Sequence, residues 1–261
     1  MQFALIDQTR VEAKPGLKGI CPGCGEPVIA KCGTQRIHHW SHFNRSECDS
    51  WWEPETEWHR AWKNKFPVEW QEIIMPDKKT GEIHIADIRT AHGLVIEFQH
   101  SPIDPNERNA RQTFYGNMVW VVDGMRLKTD QLRFFKNKSQ LFSEIGKPFN
   151  LHRPEDYFPA GWLKGFIPVI FDFRSVEGPE DLYCLFATRL NYAIVTKISR
   201  DTFIQIAANG ELLRWFLHTA KEITNIEEQT LKQVAMQRQR QANIDFNRAG
   251  RMLRYGKKRR F

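Results

Sequence analysis

No apolar run in this 261-residue sequence approaches the roughly 18 residues that a bilayer-spanning helix needs. The opening residues, Met-Gln-Phe-Ala-Leu-Ile-Asp, also lack the basic segment and long apolar core of a secretory leader. Both absences argue against membrane insertion and lead us to expect a cytoplasmic protein. Cysteine is scarce: there are five, an odd number. Three of them fall in one short N-terminal stretch, which suits metal ligation in a reducing compartment better than a disulfide framework. Acid is in deficit, with 31 Asp and Glu against 38 Lys and Arg, a net charge of +7 and an isoelectric point near 9.2. That balance favours a polyanionic partner, nucleic acid or an anionic membrane surface. Aromatic bulk is not lacking. Nine Trp and eighteen Phe, with 41% hydrophobic residues, exclude a disordered chain, and the length allows one substantial core with or without a smaller module.

The stretch from His84 to Ser101 reads as two strands joined at Ala91-His92-Gly93, with Ile83, Ile85 and Ile88 before the turn and Leu94, Val95, Ile96 and Phe98 after it. Two carboxylates, Asp87 and Glu97, interrupt this apolar pattern. Each would cost several kcal/mol, roughly, if buried without compensation, and a shared divalent cation is the economical partner. Hard oxygen ligands suit Mg2+ or Mn2+. Gln99, two residues after Glu97, points to the same face of its strand. Asp followed by Glu-x-Gln resembles the PD-(D/E)XK nuclease core with Gln at the lysine position. A charged hairpin at a sheet edge would give the same residues.

Upstream, Cys21-Pro-Gly-Cys24 is a knuckle whose Pro and Gly turn both sulfurs toward one point. A hairpin-like segment follows, Val28 to Lys31 and Gln35 to His38, and then His39-Trp-Ser-His42. Cys21, Cys24, His39 and His42 form a four-ligand set for structural Zn2+. Cys48 can replace one histidine, Cys32 and His38 are further candidates, and a redox Cys-x2-Cys pair is the competing reading. Glu53 to Phe66 carries helix signals: Pro54 for the first turn, acids at the start, Lys63 and Lys65 near the end. Glu55, Trp58, His59 and Trp62 share one face at three- and four-residue spacings, either as a functional face or as a solvated ion pair beside two packing indoles. Strands over Val68 to Met75 and Met118 to Asp123, and a helix over Pro105 to Asn117 bearing Arg108, Arg111 and Tyr115, complete the order helix, three strands, helix, strand.

In their succession, these motifs resemble the competence protein CoiA-like nucleases of the PD-(D/E)XK superfamily. The residues that carry the resemblance are Cys21 and Cys24, His39-Trp-Ser-His42, Glu55-Thr-Glu-Trp-His59, Asp87, Glu97-Phe-Gln99-His-Ser101, and Arg111 followed by Tyr115. Trp40 and Ser41 stand where the family has Phe and Ala, Thr56 where it has Ser, and His84-Ile-Ala86 where an Arg-Pro-like lead is common. The resemblance implies an α/β (α+β) protein with a restriction-endonuclease-like core at residues 51–128, a zinc-binding module at 1–50, a β/α extension at 129–222 and a basic helical tail at 223–261.

It further implies a Mg2+- or Mn2+-dependent deoxyribonuclease. Asp87 and Glu97, with the Phe98 carbonyl, would hold the cation and Glu55 would complete its shell. Gln99 would orient the attacking water. His59, Ser101, Arg111 and Tyr115 would contact phosphate or position the carboxylates. Two other readings stay open: a non-cleaving DNA-binding recombination factor on the same scaffold, and a zinc-stapled adaptor for protein partners. In the extension, Thr129 to Ile145 reads as a helix with Leu132, Phe134 and Phe135 inward. Runs at Phe166 to Phe173, Tyr183 to Ala187 and Tyr192 to Ile198 read as strands, and Phe203 to Thr219 as a helix. Cys184 reads as core. From Lys232 onward the tail is basic, with Arg238, Arg240, Arg248, Arg251, Arg254, Lys257, Lys258, Arg259 and Arg260 against Asp245 alone, a candidate clamp for nucleic acid. Tyr255 and Phe261 could stack on single-stranded bases.

Overall fold

The computed structural model describes residues 1–43, 48–137, 146–164, 167–174, 181–189 and 192–257. Residues 1–215 form one compact unit and residues from 216 onward a second. The first unit holds two sheets. Strands β1 (Phe3–Ile6), β2 (Thr9–Glu12), β3 (Lys18–Ile20), β4 (Pro27–Lys31) and β5 (His39–His42) make an antiparallel sheet in the order β2-β1-β3-β4-β5. Asp7 and Gln8 both take positive φ, 47° and 66°, the conformation that a two-residue hairpin requires between β1 and β2. Ala4, Ala13, Val28 and Trp40 fill its small core. The second half of the expected hairpin lies at 39–42 rather than 35–38, because Trp40 is the apolar residue that can enter that core, and its indole donates to the Val11 carbonyl at 2.9 Å.

The second sheet follows helix α1 (Glu57–Lys63). Its strands are β6 (Gln71–Pro76), β7 (Ile83–Arg89), β8 (Val95–Gln99), β9 (Met118–Asp123), β10 (Phe149–His152), β11 (Val169–Asp172), β12 (Asp181–Arg189) and β13 (Tyr192–Ser199). They lie in the order β10-β13-β12-β11-β9-β8-β7-β6. The central strands β8, β9 and β11 run parallel, and helix α2 (Pro105–Tyr115) makes the crossover from β8 to β9. Every residue of β8 and β9 is buried, the continuous burial that a central parallel strand shows. The segment after residue 128 therefore does not pack as a separate sheet: β11 pairs with β9 and carries the same sheet onward.

Three boundaries differ from the sequence expectation. Helix α1 starts at Glu57, because the Thr56 hydroxyl accepts from the His59 amide and caps it there, leaving Pro54 and Glu55 in the approach. In α3 (Lys128–Asn137) only Phe134 is buried, while Leu132 is 69% exposed; two residues on, at about 100° each, the helix has turned away. The rest of that expected helix, 138–145, lies outside the described residues. The helix expected over 203–219 is two, α4 (Arg200–Ala208) and α5 (Leu212–Lys257), parted at Gly210 with φ +75°. Of the basic tail, Lys258, Arg259, Arg260 and Phe261 lie outside the described residues. No helix among the described residues is long and apolar enough to cross a membrane.

The main core is aromatic. Phe134 stacks on Phe173 with centroids 3.6 Å apart, and Phe158, Phe171 and Tyr183 surround the pair. A Cβ at Gly124 would lie 2.5 Å from the Phe173 ring, which Phe134 holds in place. Gly124→Ala should lower unfolding stability by on the order of 1–3 kcal/mol in chemical denaturation. Gly33→Ala, with open space around it, should change stability by less than about 0.5 kcal/mol.

Candidate metal centre and carboxylate pocket

In the N-terminal sheet the ligand atoms of Cys21, Cys24, His42 and Cys48 all lie within 4.8 Å of one another. Cys21 Sγ is 3.6 Å from Cys48 Sγ, and Cys24 Sγ is 3.3 Å from His42 Nε2. A tetrahedron with arms of about 2.0–2.3 Å has edges of roughly this length, so the quartet can hold a metal ion such as zinc. The hydrogen bond with Cys48 draws the Cys21 thiol down, while the thiols of Cys48 and Cys24 are pushed up, so the charge favours Cys21. Cys48 takes the place expected for His39. Strand alternation sends His39 to the face opposite His42, and its Nδ1 meets the Ile37 carbonyl at 2.9 Å. Cys32 and His38 are not in the group.

The carboxylates on β7 and β8 meet in a second place. The ladder pairs Ile88 with Ile96 and Arg89 with Val95, so the next step sets Asp87 against Glu97 on one face. Each side chain reaches across the strand pair: Phe98 N donates to Asp87 Oδ2 at 2.9 Å and Asp87 N to Glu97 Oε1 at 3.2 Å. Both line a pocket of about 70 Å3, together with Glu55, His59, Gln99, Arg111 and Tyr115. Of the residues singled out in the sequence, Ser101 stands apart, contributing its carbonyl to Gln99 Nε2 at 3.0 Å.

The electrostatics of this pocket are those of crowded acids. Glu97 is 3% exposed. Burial, and then the charge of Asp87, push it up to about 8 against the opposing pull of Arg111, whose Nη1 donates to Glu97 Oε2 at 3.1 Å. Arg111 is itself fixed by the Trp51 carbonyl at 2.6 Å and by Glu107. His59 Nε2 lies 2.7 Å from Asp87 Oδ1 without hydrogen-bond alignment, so this buried nitrogen has no hydrogen-bond partner. Glu55 is committed elsewhere, to Lys63 Nζ at 2.7 Å and to the Arg60 guanidinium. Although burial opposes its charge, Lys63 and then Arg60 hold its carboxyl well below the usual range. Gln99 Nε2 donates to Glu53 Oε1 at 2.7 Å.

Several pocket residues were not singled out in the sequence. Lys63 is 2% exposed and bridges Glu55 to Glu72, the latter at 2.9 Å. Burial opposes the Glu72 charge too, but Lys63 brings it down to about 2. Glu72 interrupts an apolar strand just as Asp87 does, so the same signal could have found it. Asp49 accepts from Ile85 N at 2.8 Å and faces His84 Nδ1 at 3.2 Å, long-range pairings with no local signal. Helix α1 is set in place from the far side: the indoles of Trp58 and Trp62 donate to Asp172 Oδ2 at 2.8 and 2.9 Å, and Arg200 holds Oδ1.

Residues 8–50 match the family described as competence protein CoiA, N-terminal domain. The match takes in β2 to β5 and all four residues of the Cys/His quartet. No curated protein and no solved structure matches the chain.

Two outcomes follow from this geometry. Cys48→Ala should lose bound zinc, measured as metal per chain after purification, whereas His39→Ala should retain it; the reverse result would restore His39 as a ligand. Glu97 is protonated in the folded protein and ionised in the unfolded chain between its ordinary 4.5 and about 8. The stabilisation it gives is therefore complete below 4.5 and lost as pH rises to about 8. In buffer without Mg2+ or Mn2+, Glu97→Gln should flatten this fall in melting temperature. An unchanged slope would show that Glu97 ionises normally.

Proposed function

We propose that the protein is a metal-dependent nuclease of the PD-(D/E)XK type, acting on DNA in the cytoplasm in competence, recombination or defence. The observation that carries the reading is the placing of Asp87 and Glu97 side by side in one pocket, next to a buried histidine nitrogen with no hydrogen-bond partner. The donor set fits a divalent cation. Each carboxylate oxygen has two lone pairs and one protein contact, which leaves acceptor capacity directed at the pocket. Asp87 and Glu97 would hold Mg2+ or Mn2+, whose chemistry is to polarise the scissile phosphate and acidify an attacking water.

The remaining steps fall to the chain itself. Arg111 holds the Glu97 carboxylate in position through Nη1. Gln99, tied by its amide nitrogen to Glu53, can orient a water but not take its proton. His59 also lines the pocket, and with Nε2 2.7 Å from Asp87 Oδ1 it would position that carboxylate. Lys63, held between Glu55 and Glu72, keeps positive charge beside Asp87 where a phosphate would arrive. Glu55 acts through Lys63 in this scheme rather than on the cation. Tyr115 closes the wall and excludes water.

One observation favours a second reading, a DNA-binding factor that does not cleave: Arg111 and His59 already approach the two carboxylates from within the protein. The cleavage assay separates the two. Supercoiled plasmid and single-stranded DNA incubated with Mn2+ or Mg2+ should be nicked by the wild type and spared when EDTA is added. Asp87→Ala and Glu97→Ala should stay folded and bind DNA while losing at least about 100-fold in rate. Equal nicking by the variants refutes the assignment.

A further inference from the structure

Residues 27–43, which span β4, β5 and the loop between them, contain Lys31, Arg36, His38, His39 and His42 and no Asp or Glu. The loop lies against the start of α1, where Arg60 Nη2 donates to the His38 carbonyl at 3.2 Å. Gly33 to His38 on one side and Pro54 to Glu57 on the other flank an open cleft of about 580 Å3. A small hollow of about 10 Å3 shares Arg36 and Glu55 with this cleft and Trp52 and Glu55 with the carboxylate pocket. On the other flank of Arg36, a hollow of about 620 Å3 is lined by Lys31, His39 and Ser41. The acid-free loop thus borders a cleft that adjoins the pocket of Asp87 and Glu97, with Glu55 lining both.

The charges around them are of two kinds. Inside, each Lys or Arg faces an acid: Lys63 with Glu55 and Glu72, Arg111 with Glu97. Outside, Lys31 and Arg36 are exposed, and neither has a hydrogen bond or ion pair among the described residues. Unpaired cations held on a hairpin beside a pocket of buried acids give the field that draws in a polyanion and keeps its phosphates on the outer side.

We propose that the β4–β5 loop is a lip that grips the phosphodiester backbone of a polynucleotide strand and leads it into the carboxylate pocket. Arg36 and Lys31 neutralise phosphates. The proposal rests on the nucleic-acid reading of the pocket but not on turnover. It gives the N-terminal module a second role, since the Cys/His quartet fixes β5 and so the loop that β5 closes.

The test measures binding of a fluorescein-labelled single-stranded oligonucleotide by anisotropy with Ca2+ in place of Mg2+, across a salt series. Lys31→Glu combined with Arg36→Glu should weaken binding about tenfold or more and lower the salt slope by about 0.7 per charge removed. Lys78→Glu, on the β6–β7 loop, should leave both unchanged. Zinc content and melting temperature report folding of each variant, with Arg36→Gln as the milder substitution. Wild-type affinity and slope in the double variant overturn the lip, whatever Asp87→Ala does to cleavage. A wild type that never cleaves but loses DNA on Arg36 substitution refutes the nuclease and leaves the lip standing.

Discussion

The confinement of Asp87 and Glu97 to one face of two paired strands is the constraint that the surrounding structure answers. Two carboxylates in a pocket walled by Tyr115, Phe98 and Trp51 repel one another and have lost most of their water. Around them the chain assembles Arg111 from α2, His59 and Lys63 from α1, and two strand amides. Arg111 and Lys63 are each in turn held by a further acid or carbonyl. Glu107 and the Trp51 carbonyl fix Arg111, and Glu55 and Glu72 fix Lys63. Such nested pairing keeps a buried charge tolerable, since removing one partner of a buried pair costs about 3–5 kcal/mol.

The same logic explains why a long stretch of chain with no chemistry of its own matters to the pocket. β11 extends the sheet beyond β9 and ends at Asp172, which is 1% exposed. Its carboxylate gathers Trp58, Trp62 and Arg200 and so fixes the helix that presents His59 and Lys63. The residue that sets the orientation of α1 is more than a hundred positions away from it.

The strands around Asp87 and Glu97 were readable because β-branched residues, a Gly93 turn and period-two burial all act locally. The crossover helix was equally plain, with Asp104 capping it and Pro105 in its first turn. Where reading failed, a competing local interaction or a distant one decided. Thr56 outcompeted Pro54 as the start of α1. His39 and His42, three apart on a strand, face opposite ways, and applying the strand period to them would have put Cys48 into the quartet from the outset. Lys63 looked like a residue placed for the helix dipole at the surface, and only the arrival of Glu72 from β6 makes it a buried one. Asp49 and Asp172 owe their roles to partners far along the chain, which no window of sequence contains.

Glu72 has one more set of contacts. Its carboxylate, on a residue whose backbone takes a positive φ of 47°, accepts the amides of Gln2 and Phe3 at 2.7 and 3.1 Å as well as Lys63. The first strand of the N-terminal module is therefore hydrogen-bonded into the charge network beneath the pocket. The module is not a detachable appendage: a truncated chain beginning at α1 would leave Glu72 short of its donors and Lys63 open to solvent. Ancestral duplication, fusion or deletion at that border would be constrained accordingly, so the two halves should be inherited as one piece.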